Sequence, residues 1–181
     1  MCLIKKEFFI QNATEIAPKI LGLKICRLTK EGQLKTGIII ETEAYMQDDP
    51  ACHAFNGITK RNAPMFEEGG ISYVYLIYGI HYCLNIVTGI KGSGQAVLIR
   101  AIDLQKSSFE ASGPGKLCKY LEIKKDQNGI LFSKENNLWL EKGIEVPDNM
   151  IGSSNRIGIS KGIDYNWRFF IKNNIYVSKL K

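Results

Sequence analysis

Two glutamates set into a run of isoleucines are the first chemistry this chain offers. The stretch GIIIETEAY, residues 37–45, opens with Ile38, Ile39 and Ile40, β-branched side chains that suit a buried, pleated segment. Glu41, Glu43 and Tyr45 follow two apart, which places all three on one face of a strand. A buried, unpaired carboxylate is costly. Either these side chains simply reach solvent from an edge strand, or buried carboxylates are kept here for a function that offsets their cost. The pattern alone does not choose between Glu41 and Glu43.

A second concentration of chemistry lies downstream. Tyr73, Tyr75, Tyr78 and Tyr82 fall within ten residues, after a polar stretch carrying His53, Lys60, Arg61 and Asn62. Tyrosines on strands pack cores, but they can also form a platform for nucleobases. The formal net charge of +6 and a pI near 9.0 make a nucleic-acid pocket competitive. Cys52-His53 and His81-x-Cys83 offer four soft ligands, yet neither spacing is that of a structural zinc site, and unpaired cysteines are commonly just buried. SGPGK lacks the spacing of a phosphate loop, and no G-x-S-x-G turn is present to present a serine nucleophile.

The elements that must position these groups are legible in outline. A chain of 181 residues, 45% hydrophobic and 23% charged, suits one soluble globular domain. No apolar run approaches the roughly 20 residues of a bilayer span, and MCLIKKEFF has no signal-peptide core, so a cytoplasmic location is expected. Five scattered cysteines without a C-x-x-C pair fit reduced thiols. The pattern predicts a helix at 12–21 capped by Asn12 or Thr14, with Pro18 awkwardly late in it. A strand, a turn at Lys30–Gln33 and the glutamate strand come next. Residues 46–70 read as a long functional loop, and 71–89 as a hairpin turning near Gly79. A strand at 95–102, a helix at 112–123 entered through Pro114, and strands in NRIGIS and WRFFIKNNIYVS complete the expectation.

Taken together, ETEAY, DDPACHAFNGITKRNAPMF, YVYLIYGIHYCLNIVTG, AVLIRA, GPGKLC and RIGIS closely resemble the alkyladenine (3-methyladenine, or methylpurine) DNA glycosylase family, in its order and spacing, from about Phe8 to about Ser178. The resemblance implies a single α+β domain spanning 1–181, with a curved, mainly antiparallel β-sheet, a protruding β-hairpin and flanking helices. It implies no cofactor and no metal. It further implies a monomeric base-excision-repair enzyme that acts on double-stranded DNA containing damaged purines, with no membrane partner, and nucleoid-associated if bacterial. Members release 3-methyladenine, hypoxanthine and ethenoadenine by cutting the bond from base to deoxyribose.

Carried over residue by residue, the resemblance makes Glu43 the general base and Arg100 the side chain that helps hold the attacking water. Tyr45 and His53 fall on positions that sandwich the flipped base, with Tyr75 on the opposite face. Tyr78 matches the wedge that fills the emptied stack, and Asn85 the residue that crowds the amino group of guanine. Lys60 stands where the family usually has proline, which adds a candidate phosphate contact beside Arg61 and Asn62. One residue is missing after Tyr45 relative to the family. The resemblance supplies no second carboxylate and no lysine nucleophile, so a monofunctional glycosylase is expected. Two other classes stay open at this point: a non-catalytic binder of damaged or single-stranded nucleic acid, and a metal-dependent hydrolase using the Cys/His cluster.

Overall fold

The computed structural model describes residues 2–105 and 111–178. An eight-stranded antiparallel sheet dominates, and two short helices, α1 (Ala13–Ile20) and α2 (Pro114–Tyr120), complete an α+β domain. The strands are β1 (Lys24–Leu28), β2 (Leu34–Tyr45), β3 (Ser72–Ile77), β4 (His81–Thr88), β5 (Gln95–Asp103), β6 (Leu138–Glu141), β7 (Ile151–Ser154) and β8 (Arg168–Ile171). Their order across the sheet is β3-β4-β5-β2-β1-β6, with β8 joining β2 and β7 joining β8.

The glutamate strand, β2, is the hub of this sheet and not an edge. Its first half pairs with β1, its second half pairs with β8 through Glu41–Glu43, and β5 runs along its other side from Ile38 to Tyr45. Simple alternation would place Ile39 on the same face as the two glutamates. The register prevents this: Ile39 faces Ile102, Glu41 faces Ala101 and Thr42 faces Ile99, so β2 bulges at Ile40 and β5 at Arg100. A bulge inserts a residue and re-aims the side chains beyond it. Ile39 and Ala44 consequently sit in the main core with α1, where Thr42 donates its hydroxyl to the Ala17 carbonyl at 2.9 Å. Ile38 and Ile40 pack with Ala101 on the opposite face. Glu41, Glu43 and Tyr45 continue along that second face.

Helix α1 buries Ala13, Ile16, Ala17 and Ile20, the helical spacing of a single apolar stripe. Asn12 holds the cap position, but neither it nor Thr14 caps through its side chain. Gln95 of β5 reaches over instead, and its Oε1 accepts the Ala13 N–H at 2.7 Å. The turn at Lys30–Gln33 forms as expected, closed by Thr29 N–H donating to the Gln33 carbonyl at 2.8 Å. The hairpin β3–β4 also forms, and it reverses through two residues of positive φ, Tyr78 (+54°) and Gly79 (+72°). NRIGIS is not a strand: β7 ends at Ser154 and the chain turns away through residues 155–162. β6 and β7 had no counterpart in the sequence reading.

Candidate active site

The hairpin, the loop after β2, the start of α2 and residues 157–161 surround a cavity of about 890 Å³. Tyr45, His53, Tyr75, Tyr78, Asn85 and Arg100 all line it. A purine needs only part of that volume. Glu43 lies directly behind this wall, with no solvent exposure. Its Oε1 accepts the Ile157 backbone N–H at 2.7 Å and lies 3.3 Å from the Arg100 guanidinium. Its Oε2 accepts the Tyr45 hydroxyl at 2.8 Å. All three partners also line the cavity, so Glu43 is the carboxylate beneath its surface.

Glu41, two residues earlier, is occupied differently. Its Oε1 accepts Arg168 Nε at 2.6 Å and lies 3.4 Å from Arg100 Nε. Its Oε2 accepts both the backbone N–H of Ser178 (2.9 Å) and the Ser178 hydroxyl (2.8 Å). Arg168 itself is buried and donates further to Ser154 Oγ and the Ser178 carbonyl. Glu41 thus ties β2 to β8 and to the C-terminal segment, while Arg100 bridges the two glutamates. A buried set of two carboxylates and two guanidiniums balances its own charge, which a lone buried carboxylate could not.

The aromatic groups are fixed as firmly. His53 Nδ1 lies 2.8 Å from the Tyr73 hydroxyl, and its ring meets Tyr75 edge-on with centroids 4.6 Å apart. Burial, with a smaller contribution from the Arg61 cation, pushes the His53 pKa below its ordinary value and favours the neutral imidazole. The Tyr45 hydroxyl is pushed well above the usual tyrosine value, first by burial and then by the Glu43 charge, so it stays protonated and able to donate. Burial also raises Tyr75 strongly, and Tyr73 to about 12. Arg61 lies over the Tyr75 ring, 5.5 Å from its centroid.

Tyr78 projects from the hairpin tip and is 84% exposed. Asn85 is buried on β4, and its amide donates to the Tyr73 carbonyl at 2.9 Å, so it braces the hairpin as well as lining the cavity. Lys60 and Arg61 are exposed. Asn62 is buried: its Nδ2 donates to the carbonyls of His53 (2.7 Å) and Gly57 (3.0 Å), and its Oδ1 accepts the Thr59 N–H. It shapes the loop that carries His53.

The cysteine and histidine ligands do not converge. Cys52 Sγ points at the Gly94 carbonyl 3.8 Å away, Cys83 is buried next to Tyr75, and His81 is exposed beside Gly115. Among the described residues no three His, Cys, Asp or Glu side chains gather as a metal site requires. Burial raises the Cys52 thiol to about 11, which leaves it protonated.

Sequence reasoning missed three participants. Ile157 binds Glu43 through its backbone, which no side-chain pattern reveals. Arg156 and Asp49 form a fully buried ion pair beneath Tyr45. The arginine stood in a quoted motif, RIGIS, but an isolated cation in a presumed strand carries no signal of burial. Asp49 lies in the loop after β2, and its pairing with Arg156 ties that loop to the segment after β7.

Residues 7–175 match the model of the methylpurine-DNA glycosylase family. A protein of Carboxydothermus hydrogenoformans is 43% identical over 192 residues, covering 98% of this chain and 99% of that protein. One from Ehrlichia chaffeensis is 46% identical over 173 residues, 93% of each chain. One from Borreliella burgdorferi is 42% identical over 183 residues, 95% of this chain and 97% of its own. Each of the three bears the name "Putative 3-methyladenine DNA glycosylase".

Proposed function

The chain belongs to the methylpurine-DNA glycosylase family, enzymes of DNA base-excision repair that hydrolyse N-glycosyl bonds, and from that premise we propose how its own residues carry the reaction. The damaged purine, of the 3-methyladenine, hypoxanthine and ethenoadenine class, is flipped out of duplex DNA into the cavity, because its sugar carbon is out of reach inside the stack. Unstacking costs a few kcal/mol, and contact with Tyr45, His53 and Tyr75 returns ~1–3 kcal/mol per stacked base. Tyr78 fills the gap left in the duplex from the hairpin tip. Lys60 is exposed where phosphates can pass, Arg61 borders the cavity over the Tyr75 ring, and Asn62 acts from within the loop.

Glu43 activates the water. As the base leaves, positive charge grows on the sugar, and one ionised carboxylate both takes the proton and offsets that charge. The observation that carries this reading is the position of Glu43: buried, charge-paired with Arg100, and separated from the cavity only by groups that line it. Oε2 keeps a second lone pair beside the Tyr45 hydroxyl, and water reaches it there from the cavity. Such a site suits cationic leaving bases directly, since they need no protonation. The reaction ends at base release, without strand cleavage. Base release from duplexes that each carry one lesion tests the substrate class, with Glu43→Gln as the inactive control. Lys116 and Lys161 reach the cavity wall, so borohydride trapping tests the strand-cleavage statement directly, and a covalent adduct would overturn it.

A further inference from the structure

Arg156 takes no part in the chemistry above, yet it packs on Tyr45 and directly precedes Ile157, the two hydrogen-bond donors to Glu43. Its side chain is fully buried and ion-paired to Asp49, whose side chain is equally buried. Nη1 donates to the Ala44 carbonyl at 3.0 Å, in the peptide that joins Ala44 to Tyr45, and Nη2 donates to the Gly162 carbonyl at 3.1 Å. The guanidinium carbon lies over the Tyr45 ring, 4.6 Å from its centroid, and 5.2 Å from the centroid of Trp167, which itself stacks on Tyr165 at 4.1 Å. The next residue in the chain is Ile157, whose N–H meets Glu43 Oε1.

We infer that Arg156 is a positioning residue for base release: its guanidinium fixes the Tyr45 hydroxyl on one carboxylate oxygen of Glu43 and the Ile157 N–H on the other. Tyr45 comes from β2, and Ile157 from the loop after β7, more than a hundred residues away. They converge on one carboxylate because a single planar side chain joins their backbones and packs behind the Tyr45 ring. Only a fork of donors can serve Ala44, Gly162 and Asp49 at once from over an aromatic ring. Lysine keeps the charge for Asp49 but loses that geometry. The inference rests on Glu43 being the base.

The test compares wild type with Arg156→Lys, Tyr45→Phe, the double variant and Glu43→Gln. Two quantities are read: the single-turnover rate of base release, and the Kd for a duplex whose lesion resists hydrolysis. A small misplacement of a reacting group costs on the order of 10²-fold. Arg156→Lys is therefore expected to lose about 10- to 100-fold in rate with Kd within about threefold, and Tyr45→Phe to lose rate at unchanged affinity. The double variant is expected to fall short of the product of the two losses, since part of the effect of Arg156 runs through the Tyr45 hydroxyl. A folded Arg156→Lys protein with wild-type rate overturns the inference, as does a proportional loss of rate and affinity. If Arg156→Lys does not fold, Tyr45→Phe decides: an undiminished rate overturns the inference, and a slower rate at unchanged Kd supports it. An active Glu43→Gln would sink the reading of the base itself, whereas an inactive one beside a fully active Arg156→Lys sinks only the positioning role.

Discussion

Neutralising the two glutamates of β2 one at a time should separate stability from chemistry. Glu41→Gln keeps the shape of the side chain but removes the charge that faces Arg168 at 2.6 Å and Arg100 at 3.4 Å. Arg168 suffers most. Its side chain is buried, and its remaining partners are the Ser154 hydroxyl and the Ser178 carbonyl. Removing one partner of a buried ion pair costs about 3–5 kcal/mol, and the isosteric amide, which can still accept a bond, holds the loss near ~3 kcal/mol. For a chain of this length each kcal/mol is worth roughly 2–4 °C, so a fall in melting temperature of about 6–12 °C is expected. Arg100 keeps Glu43, so base release by the folded variant stays within about tenfold of wild type.

Glu43→Gln is the mirror image. Arg100 retains Glu41 and borders the cavity, where solvent shares its charge, so the melting temperature moves by no more than about 3 °C. The rate falls by at least ~10²–10⁴, the usual worth of a general base, and further through lost charge stabilisation. Thermal melts and single-turnover base release on the same preparations give both numbers. A folded Glu41→Gln protein that releases no base, beside an active Glu43→Gln, would refute the assignment along this strand. Equal melting losses in the two variants would refute the argument from Arg168.

Tyr78→Ala is expected to slow release from duplex lesions more than from the same lesions in single strands, because only a duplex has a stack to fill; equal losses would make Tyr78 a packing residue. Lesion affinity is expected to fall with added salt, and Lys60→Ala or Arg61→Ala to flatten that slope by about one counterion each, measured by fluorescence anisotropy. Asn85→Ser is expected to leave hypoxanthine or 3-methyladenine release within about tenfold while raising release of guanine or 7-methylguanine; because Asn85 also braces the Tyr73 carbonyl, its melting temperature must be read alongside. His53, with its folded pKa pushed down, binds fewer protons folded than unfolded below pH ~6.5, so acid costs stability there. His53→Asn is expected to lose less of its melting temperature than wild type between about pH 7 and pH 5.5.

How far the sequence could be read depends on how local each cause is. The hairpin, the turn at Lys30–Gln33 and α1 came through because β-branched runs, turn residues and an apolar stripe act within a few residues. The cap of α1 did not, since Gln95 supplies it from a strand far along the chain. NRIGIS looked like a strand by composition, but the loop exists to bring the Ile157 N–H and the Arg156 guanidinium to β2, and neither demand is written in hydrophobic alternation. The candidate site fared the same way. The aromatic set gathered around the cavity where residue type had pointed, while Asp49 and Arg156 were invisible because each is an ordinary charged residue until the other is placed beside it.

The opening ambiguity between the two glutamates has the same origin. On an ideal strand they are equivalent, two residues apart on one face, and no propensity distinguishes them. The paired bulges at Ile40 and Arg100 keep both on the face away from α1 and aim Arg100 between them. What separates them then arrives from elsewhere in the chain. Arg168 and Ser178 close around Glu41 with three aligned donors, leaving it nothing to give to a reaction. Glu43 receives one backbone N–H beside Arg100 on Oε1 and a single hydroxyl on Oε2, which leaves that oxygen a lone pair at the cavity wall. A carboxylate saturated by buried partners holds the sheet together; one with a lone pair left for water can accept a proton. The difference between the scaffold and the proposed base on this strand is a single acceptor site left open.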